Sequence, residues 1–124
     1  MVIKASFGAH SILFPGDIMR AVEEELVLRQ KNLHADILIA PHHGSKTSST
    51  PGFLNRVDPE IVIISCGKQN RFGFPSPQVV DRYENYPMKI FRTDLNGAVM
   101  ISTDGHKMTI TPMAGDSTTL LNES

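Results

Sequence analysis

A second cysteine is missing from this chain, so Cys66 alone supports neither a disulfide nor a cysteine-based zinc site. It ends the apolar run Ile61-Val62-Ile63-Ile64-Ser65, where a lone thiol is expected to act as a small buried apolar residue. A basic excess is missing too. The net charge of −1 argues against a generic nucleic-acid-binding surface while leaving local basic patches open. No apolar stretch approaches the roughly 18 residues that cross a bilayer, and the first residues lack the regions of a signal peptide. They begin instead in strand-like sequence, 2–7, which reads as the start of an excised fragment. No His-x-His-x-Asp-His cluster occurs either, which points to half of a metal site.

What is present fits one soluble globular domain. The 124 residues suffice to bury roughly two-thirds of the unfolded surface, and 40% hydrophobic with 20% charged residues is ordinary for such a domain. Segments 2–7 and 10–14 form an expected hairpin about Gly8-Ala9, with His10, Ile12 and Phe14 facing one way, Ser11 and Leu13 the other. A helix is expected from Asp17 to about residue 32, with Ile18, Val22 and Leu26 inward and Glu23, Glu24, Arg29 and Lys31 toward solvent. Segment 36–40 reads as a strand covered on both faces, 51–57 as a short helix, 61–66 as a strand, 77–85 as a helix capped by Ser76, and 88–92 as a strand. A turn at 94–97 and a hairpin of 98–102 with 107–111 follow. Residues 113–124 lack periodicity and are expected to form a loose tail. The fold class is α/β, a mixed sheet with flanking helices.

Two segments carry candidate chemistry. Phe14-Pro15-Gly16-Asp17 puts a carboxylate at one strand end, and Ala40-Pro41-His42-His43-Gly44-Ser45-Lys46-Thr47 puts two imidazoles at the next. Carboxylate and imidazole are suitable ligands for zinc, manganese or iron, and an ion with an open position activates water. Asp17 also stands where a helix N-cap belongs, and capping competes with ligation for the same oxygens. If strand geometry persists, His42 and His43 point to opposite sides, leaving one as ligand and the other as a supporting or packing residue. A phosphate-loop reading of Gly44-Ser45-Lys46-Thr47 fails, because the lysine follows serine and no glycine stands at the required spacing. Lys46, and the Lys68, Asn70 and Arg71 cluster, are candidate phosphate contacts, against the alternative of polar surface loops. Arg92-Thr93-Asp94 reads as a turn-fixing element, His10, His34 and His106 as structural or exposed, and the methionines as packing.

Taken in order, Phe14-Pro15-Gly16-Asp17, Ile39-Ala40-Pro41-His42-His43-Gly44-Ser45, Ile63-Ile64-Ser65-Cys66-Gly67-Lys68-Gln69-Asn70-Arg71-Phe72-Gly73 and Phe91-Arg92-Thr93-Asp94 resemble the metallo-β-lactamase-like domain of ComEC-type competence proteins. The resemblance runs over residues 3–112 and covers the C-terminal half of that domain. It implies one half of an αββα sandwich with metals at the edge between its sheets. It also implies that Asp17 and a histidine, His42 preferred over His43, hold a divalent zinc or manganese ion in the complete domain. The implied partners are DNA, cleaved during DNA uptake, and the missing N-terminal half of the domain. The implied setting is an extracytoplasmic domain of a membrane-embedded parent.

This chain departs from the family where histidines are common, carrying Phe74 and Ser76. Two other readings therefore stand beside a nuclease that is inactive as this isolated piece: a non-catalytic scaffold or DNA-guiding domain, and a small-molecule metallo-hydrolase. A half-sandwich is also expected to expose an apolar sheet face and to self-associate through it.

Overall fold

The computed structural model describes residues 2–30, 32–68 and 70–121. Strand β1 (Ile3–Phe7) turns back into β2 (His10–Phe14), and helix α1 (Arg20–Arg29) then leads to β3 (Ile37–Ile39). A tight turn at Pro41–Gly44 precedes α2 (Pro51–Val57) and β4 (Ile61–Ile64). Helix α3 (Pro77–Glu84), β5 (Lys89–Arg92) and the single helical turn α4 (Thr93–Asn96) follow. The last strands are β6 (Val99–Thr103), β7 (Lys107–Pro112) and β8 (Thr118–Leu121). Among the described residues these make a mixed five-stranded sheet in the order β1-β2-β3-β4-β5 and a three-stranded sheet β6-β7-β8.

Only the β1–β2 pair of the large sheet is antiparallel; β2, β3, β4 and β5 run parallel. Parallel strands need cover on both faces, and the residues alternate accordingly. Leu13, Leu38, Val62 and Ile64 face a core closed by Phe53, Leu54 and Val57 of α2 and Val79 and Tyr83 of α3. Ile37, Ile61, Ile63 and Phe91 face the opposite way, onto Met108, Ile110 and Leu120 of the small sheet. The result is three layers, helices on sheet on sheet.

That second layer corrects two expectations. The sequence between 113 and 121 is not loose: β8 pairs with β7 from Lys107↔Leu121 to Ile110↔Thr118 and buries Leu120. Residues 122–124 of the expected tail lie outside the described residues. The apolar face of the large sheet is also largely covered from within the chain. What remains open on it is the β1–β2 end, where the register Ile3↔Phe14 and Phe7↔His10 puts exposed Ile3, Phe7 and Phe14 on the face of Ile12. The two hairpin turns meet there, Ala9 N donating to Gly105 O at 3.1 Å and His10 Nε2 to His106 O at 2.9 Å.

Helix α1 departs from its expected pattern. It starts at Arg20 after Met19, so Asp17 is not its cap. Glu23, expected in solvent, is fully buried, whereas Val22 is exposed. The assignment of Lys31 to solvent falls outside the described residues. The short helix read at 51–57 forms, and Thr50, not singled out from the sequence, caps it by accepting from Phe53 N, with Pro51 in the first turn. Pro77 opens α3 after Ser76, which stands at the cap position without a side-chain cap bond.

A candidate metal centre at the strand ends

Because β2 to β5 are parallel, their C-terminal ends share one edge of the sheet, the edge at which such sheets present ligand sites. The loop after β2 carries Asp17, the turn after β3 carries His42 and His43, and the loop after β4 carries Ser65 to Phe74. Asp17, both histidines and, from the last loop, Ser65, Cys66, Gly67, Asn70, Phe72 and Phe74 line one cleft of about 700 Å³. Backbone bonds tie the loops together, with His42 N donating to Gly16 O at 2.9 Å and Ser76 N to Gly44 O at 2.9 Å.

Strand geometry does not persist through the histidines. His42 (φ 50°) and His43 (φ 55°) both adopt the left-handed backbone, uncommon for residues with a Cβ. The two rings therefore line one cleft instead of opposite faces of a strand. Gly44 continues the turn at φ 85°, and a Cβ there would meet Pro75 Cβ at 2.7 Å. Only glycine fits this approach.

His43 is the better oriented of the two. Its Nδ1–H donates to Ser65 O at 2.8 Å, which fixes the ring's orientation and turns Nε2 toward Asp17. That Nε2 lies 3.6 Å from Asp17 Oδ1. Two ligands about 2.0–2.1 Å from one tetrahedral ion stand about 3.4 Å apart, so the pair has the separation of neighbouring metal ligands. His42 instead places Nδ1 3.4 Å from Thr47 Oγ1 and its ring 5.7 Å from that of Phe74. Among the described residues no group of three or more His, Cys, Asp or Glu side chains is arranged to hold a metal. Asp17 and His43 thus suit a divalent ion chemically but form only part of a coordination shell.

Cys66 is half-buried and lines the same cleft, unlike the fully packed thiol expected. Burial, with the Asp94 carboxyl beside it, pushes its thiol up, away from the thiolate that binds metal. Thr93 brackets the Cys66 backbone, accepting from its N–H at 2.8 Å and donating to its carbonyl at 2.9 Å. Asp94 takes two bonds from Arg92, at 3.0 and 2.7 Å, so Arg92-Thr93-Asp94 fixes the turn as read.

The candidate phosphate contacts separate. Asn70 is committed to its own loop, donating to Gly67 O and Phe74 O and accepting from Phe74 N. Lys68 and Arg71 are exposed on that loop. Lys46 lies beyond the histidine turn, in a separate groove with Arg20, Thr47 and Gln78.

Sequence reasoning missed what holds the histidine turn. The serine-rich loop is not a surface loop: Ser45, Ser48 and Ser49 are buried. Glu23 reaches it from α1, Oε2 accepting from Ser49 N at 2.6 Å and Oε1 from Thr50 N at 2.8 Å. Arg82 donates to Ser49 O at 2.7 Å, and Tyr83 hydroxyl meets Ser49 Oγ. A glutamate directly after an apolar position, ahead of a loop whose N–H groups need acceptors, was the available signal.

No family model matches the chain. It is similar in sequence to one segment of much longer competence proteins. Over 99 residues, 79% of this chain, it is 38% identical to Competence protein ComA of Neisseria gonorrhoeae. It is 33% identical over 99 residues, 80% of the chain, to ComE operon protein 3 of Bacillus subtilis (strain 168). With Recombination protein 2 of Haemophilus influenzae the identity is 35% over 101 residues, 82% of the chain. These matches cover 14%, 13% and 13% of the respective relatives, so the chain spans only a small part of their length. The resemblance to competence proteins read from the motifs agrees with these names. No helix among the described residues is long and apolar enough to cross a membrane.

Proposed function

We propose that this chain is the C-terminal half of a metallo-β-lactamase-like domain of a DNA-uptake protein, and that it contributes ligands to a divalent-metal centre that hydrolyses DNA. The observation that carries this reading is the Asp17–His43 pair. His43 Nε2 lies 3.6 Å from an Asp17 carboxylate oxygen, with the ring oriented by its Nδ1–H bond to the Ser65 carbonyl. A neutral His43 and an ionised Asp17 so placed suit a shared cation, and a proton on Nε2 satisfies the same contact as an ion pair. The geometry favours His43 over His42 as ligand; His42 stands beside it against Phe74.

A zinc or manganese ion held there supplies water activated for attack on a phosphodiester. This chain's own part is to orient two ligands and to present Lys68 and Arg71 at the mouth for backbone phosphates. The remaining ligands come from the other half of the domain, for which the open apolar strip of Ile3, Phe7 and Phe14 offers a packing surface. A second copy of the chain is the alternative occupant of that strip. The match to one segment of long competence proteins supports a membrane-embedded parent.

The test is a Mn²⁺ titration of this chain followed by paramagnetic broadening of amide resonances, which registers weak binding. Broadening is expected to centre on Asp17, His43 and Ser65 and to vanish in Asp17→Ala. Broadening that is centred elsewhere, or that survives in Asp17→Ala, overturns the assignment. The second reading, a non-catalytic scaffold or DNA-guiding domain, rests on Phe74 and Ser76, which stand where the resemblance to ComEC-type domains leads one to expect histidine. It predicts DNA binding with no localised Mn²⁺ response.

A further inference from the structure

The apolar wall of the cleft has no task in holding metal. Phe72 and Phe74 stack with ring centroids 5.6 Å apart and planes inclined by 21°, and Phe72 remains 65% exposed. The Arg71 guanidinium carbon sits 5.0 Å from the Phe72 ring centre. A flat aromatic pair at a cleft mouth, with Phe72 exposed and Phe74 half-buried behind it, is a poor way to fill a core, and an exposed ring so backed is a surface on which an unpaired base stacks. Charge on either side suits the same occupant. Lys68 and Arg71 flank the pair, Arg20 and Lys46 line the groove beyond the histidine turn, and among the described residues none of the four is paired with Asp94 or Asp17.

We infer that Phe72 and Phe74 form a base-stacking platform that selects an unpaired DNA strand and delivers its adjoining phosphate to the Asp17–His43 pair. The inference deepens the function proposed above and rests on it for the identity of the strand. Phe74 links platform and site directly, because its ring also lies against His42. A base stacked on the pair is thereby held next to the histidine turn. Arg71, exposed and held against the Phe72 ring, can swing to a phosphate of the bound strand. Paired bases are already stacked within a duplex and offer no free face to the platform, so discrimination follows without any base-specific hydrogen bond.

The test measures binding of a labelled oligothymidylate by fluorescence anisotropy in EDTA at low salt. An abasic oligomer and a duplex of the same length serve as comparisons. Phe72→Ala is expected to weaken oligothymidylate binding by about 5- to 150-fold, the usual range for loss of one base–aromatic stack. It is expected to leave the abasic oligomer unaffected, and Phe72→Trp is expected to restore binding. Phe72 is exposed, so these variants do not disturb the core; an unchanged amide spectrum verifies it. Undetectable oligothymidylate binding, equal binding of the abasic oligomer, equal binding of duplex, or an indifferent Phe72→Ala each overturns the inference. Since no metal is present in this assay, its failure is distinct from failure of the Mn²⁺ experiment.

Discussion

Replacing Glu23 by alanine removes a side chain that joins α1 to the loop after the histidine turn, and its consequences follow from three facts. The carboxylate is wholly buried, each oxygen accepts a different backbone N–H, and those amides belong to the adjacent residues Ser49 and Thr50. Alanine leaves both donors without an acceptor beneath a packed helix, where water does not easily follow. At roughly 1–3 kcal/mol for each buried group left unpaired, the expected loss is about 2–6 kcal/mol. Against a typical domain stability of about 5–15 kcal/mol that is a large fraction. Urea unfolding read by circular dichroism measures it, with exposed Glu24→Ala as control. Glu23→Gln keeps one acceptor and turns an amide NH2 toward the other donor, so it should fall between wild type and alanine. Hydrogen exchange at Ser49 and Thr50 should accelerate in both variants. An alanine variant as stable as the Glu24 control would refute the claim that this carboxylate holds the loop.

Three further outcomes are expected. Arg92 bonding holds the Asp94 carboxyl below the usual carboxylate range. Its contribution is therefore full above the unfolded value near pH 3.9 and is lost as pH falls through the lower folded value. Asp94→Asn should cost about 1–2 kcal/mol at neutral pH and flatten the acid limb of the stability profile; an unchanged acid limb would count against the pairing. Leu120→Ala should cost about 2–3 kcal/mol by urea unfolding if β8 seals the second core as described, and less than 0.5 kcal/mol if the tail were loose. His42→Gly should leave the melting temperature unchanged or raise it by the equivalent of about 1 kcal/mol, since glycine adopts a left-handed backbone without penalty. A substantial drop would mean that the imidazole serves packing.

Much of the fold was readable because its signals are local. The β1–β2 hairpin, the doubly covered β3 and β4, α2 after Thr50-Pro51 and α3 after Ser76-Pro77 all follow from periodicity and turn chemistry over a few residues. What escaped depends on contacts between distant segments. Strand β8 has the polar-rich sequence Thr118-Thr119-Leu120-Leu121, and only Leu120 is buried; its pairing to β7 supplies the rest. Glu23 reads as a solvent-facing charge until the amides of Ser49 and Thr50, 26 and 27 residues away, are seen to need it. The site divides in the same way. That Asp17 and the histidines meet was legible from strand ends alone, since parallel strands gather their C-terminal loops at one edge. Which histidine faces Asp17 was not: the preference for His42 came from the family resemblance, and the strand alternation expected to set the two rings apart does not hold in this turn.

The turn itself separates an incidental cluster from a site. Two consecutive non-glycine residues in the left-handed region cost about 1–2 kcal/mol each relative to helical or extended backbone. The frame that imposes this conformation is built from the neighbouring strands: Ala40 N bonds Ile63 O, His42 N bonds Gly16 O, and Ser76 N bonds Gly44 O. Glycine or asparagine would occupy such a turn with less strain, so the backbone alone gives no reason for imidazoles here. The side chains must supply it. His43 does so through the Ser65 bond and the face it turns to Asp17, and His42 through its contact with Phe74. Each contact leads into the same cleft, one toward Asp17 and the other toward the Phe72–Phe74 pair. The strain is thus explained when both histidines serve what binds between Asp17 and Phe72, and unexplained when neither does.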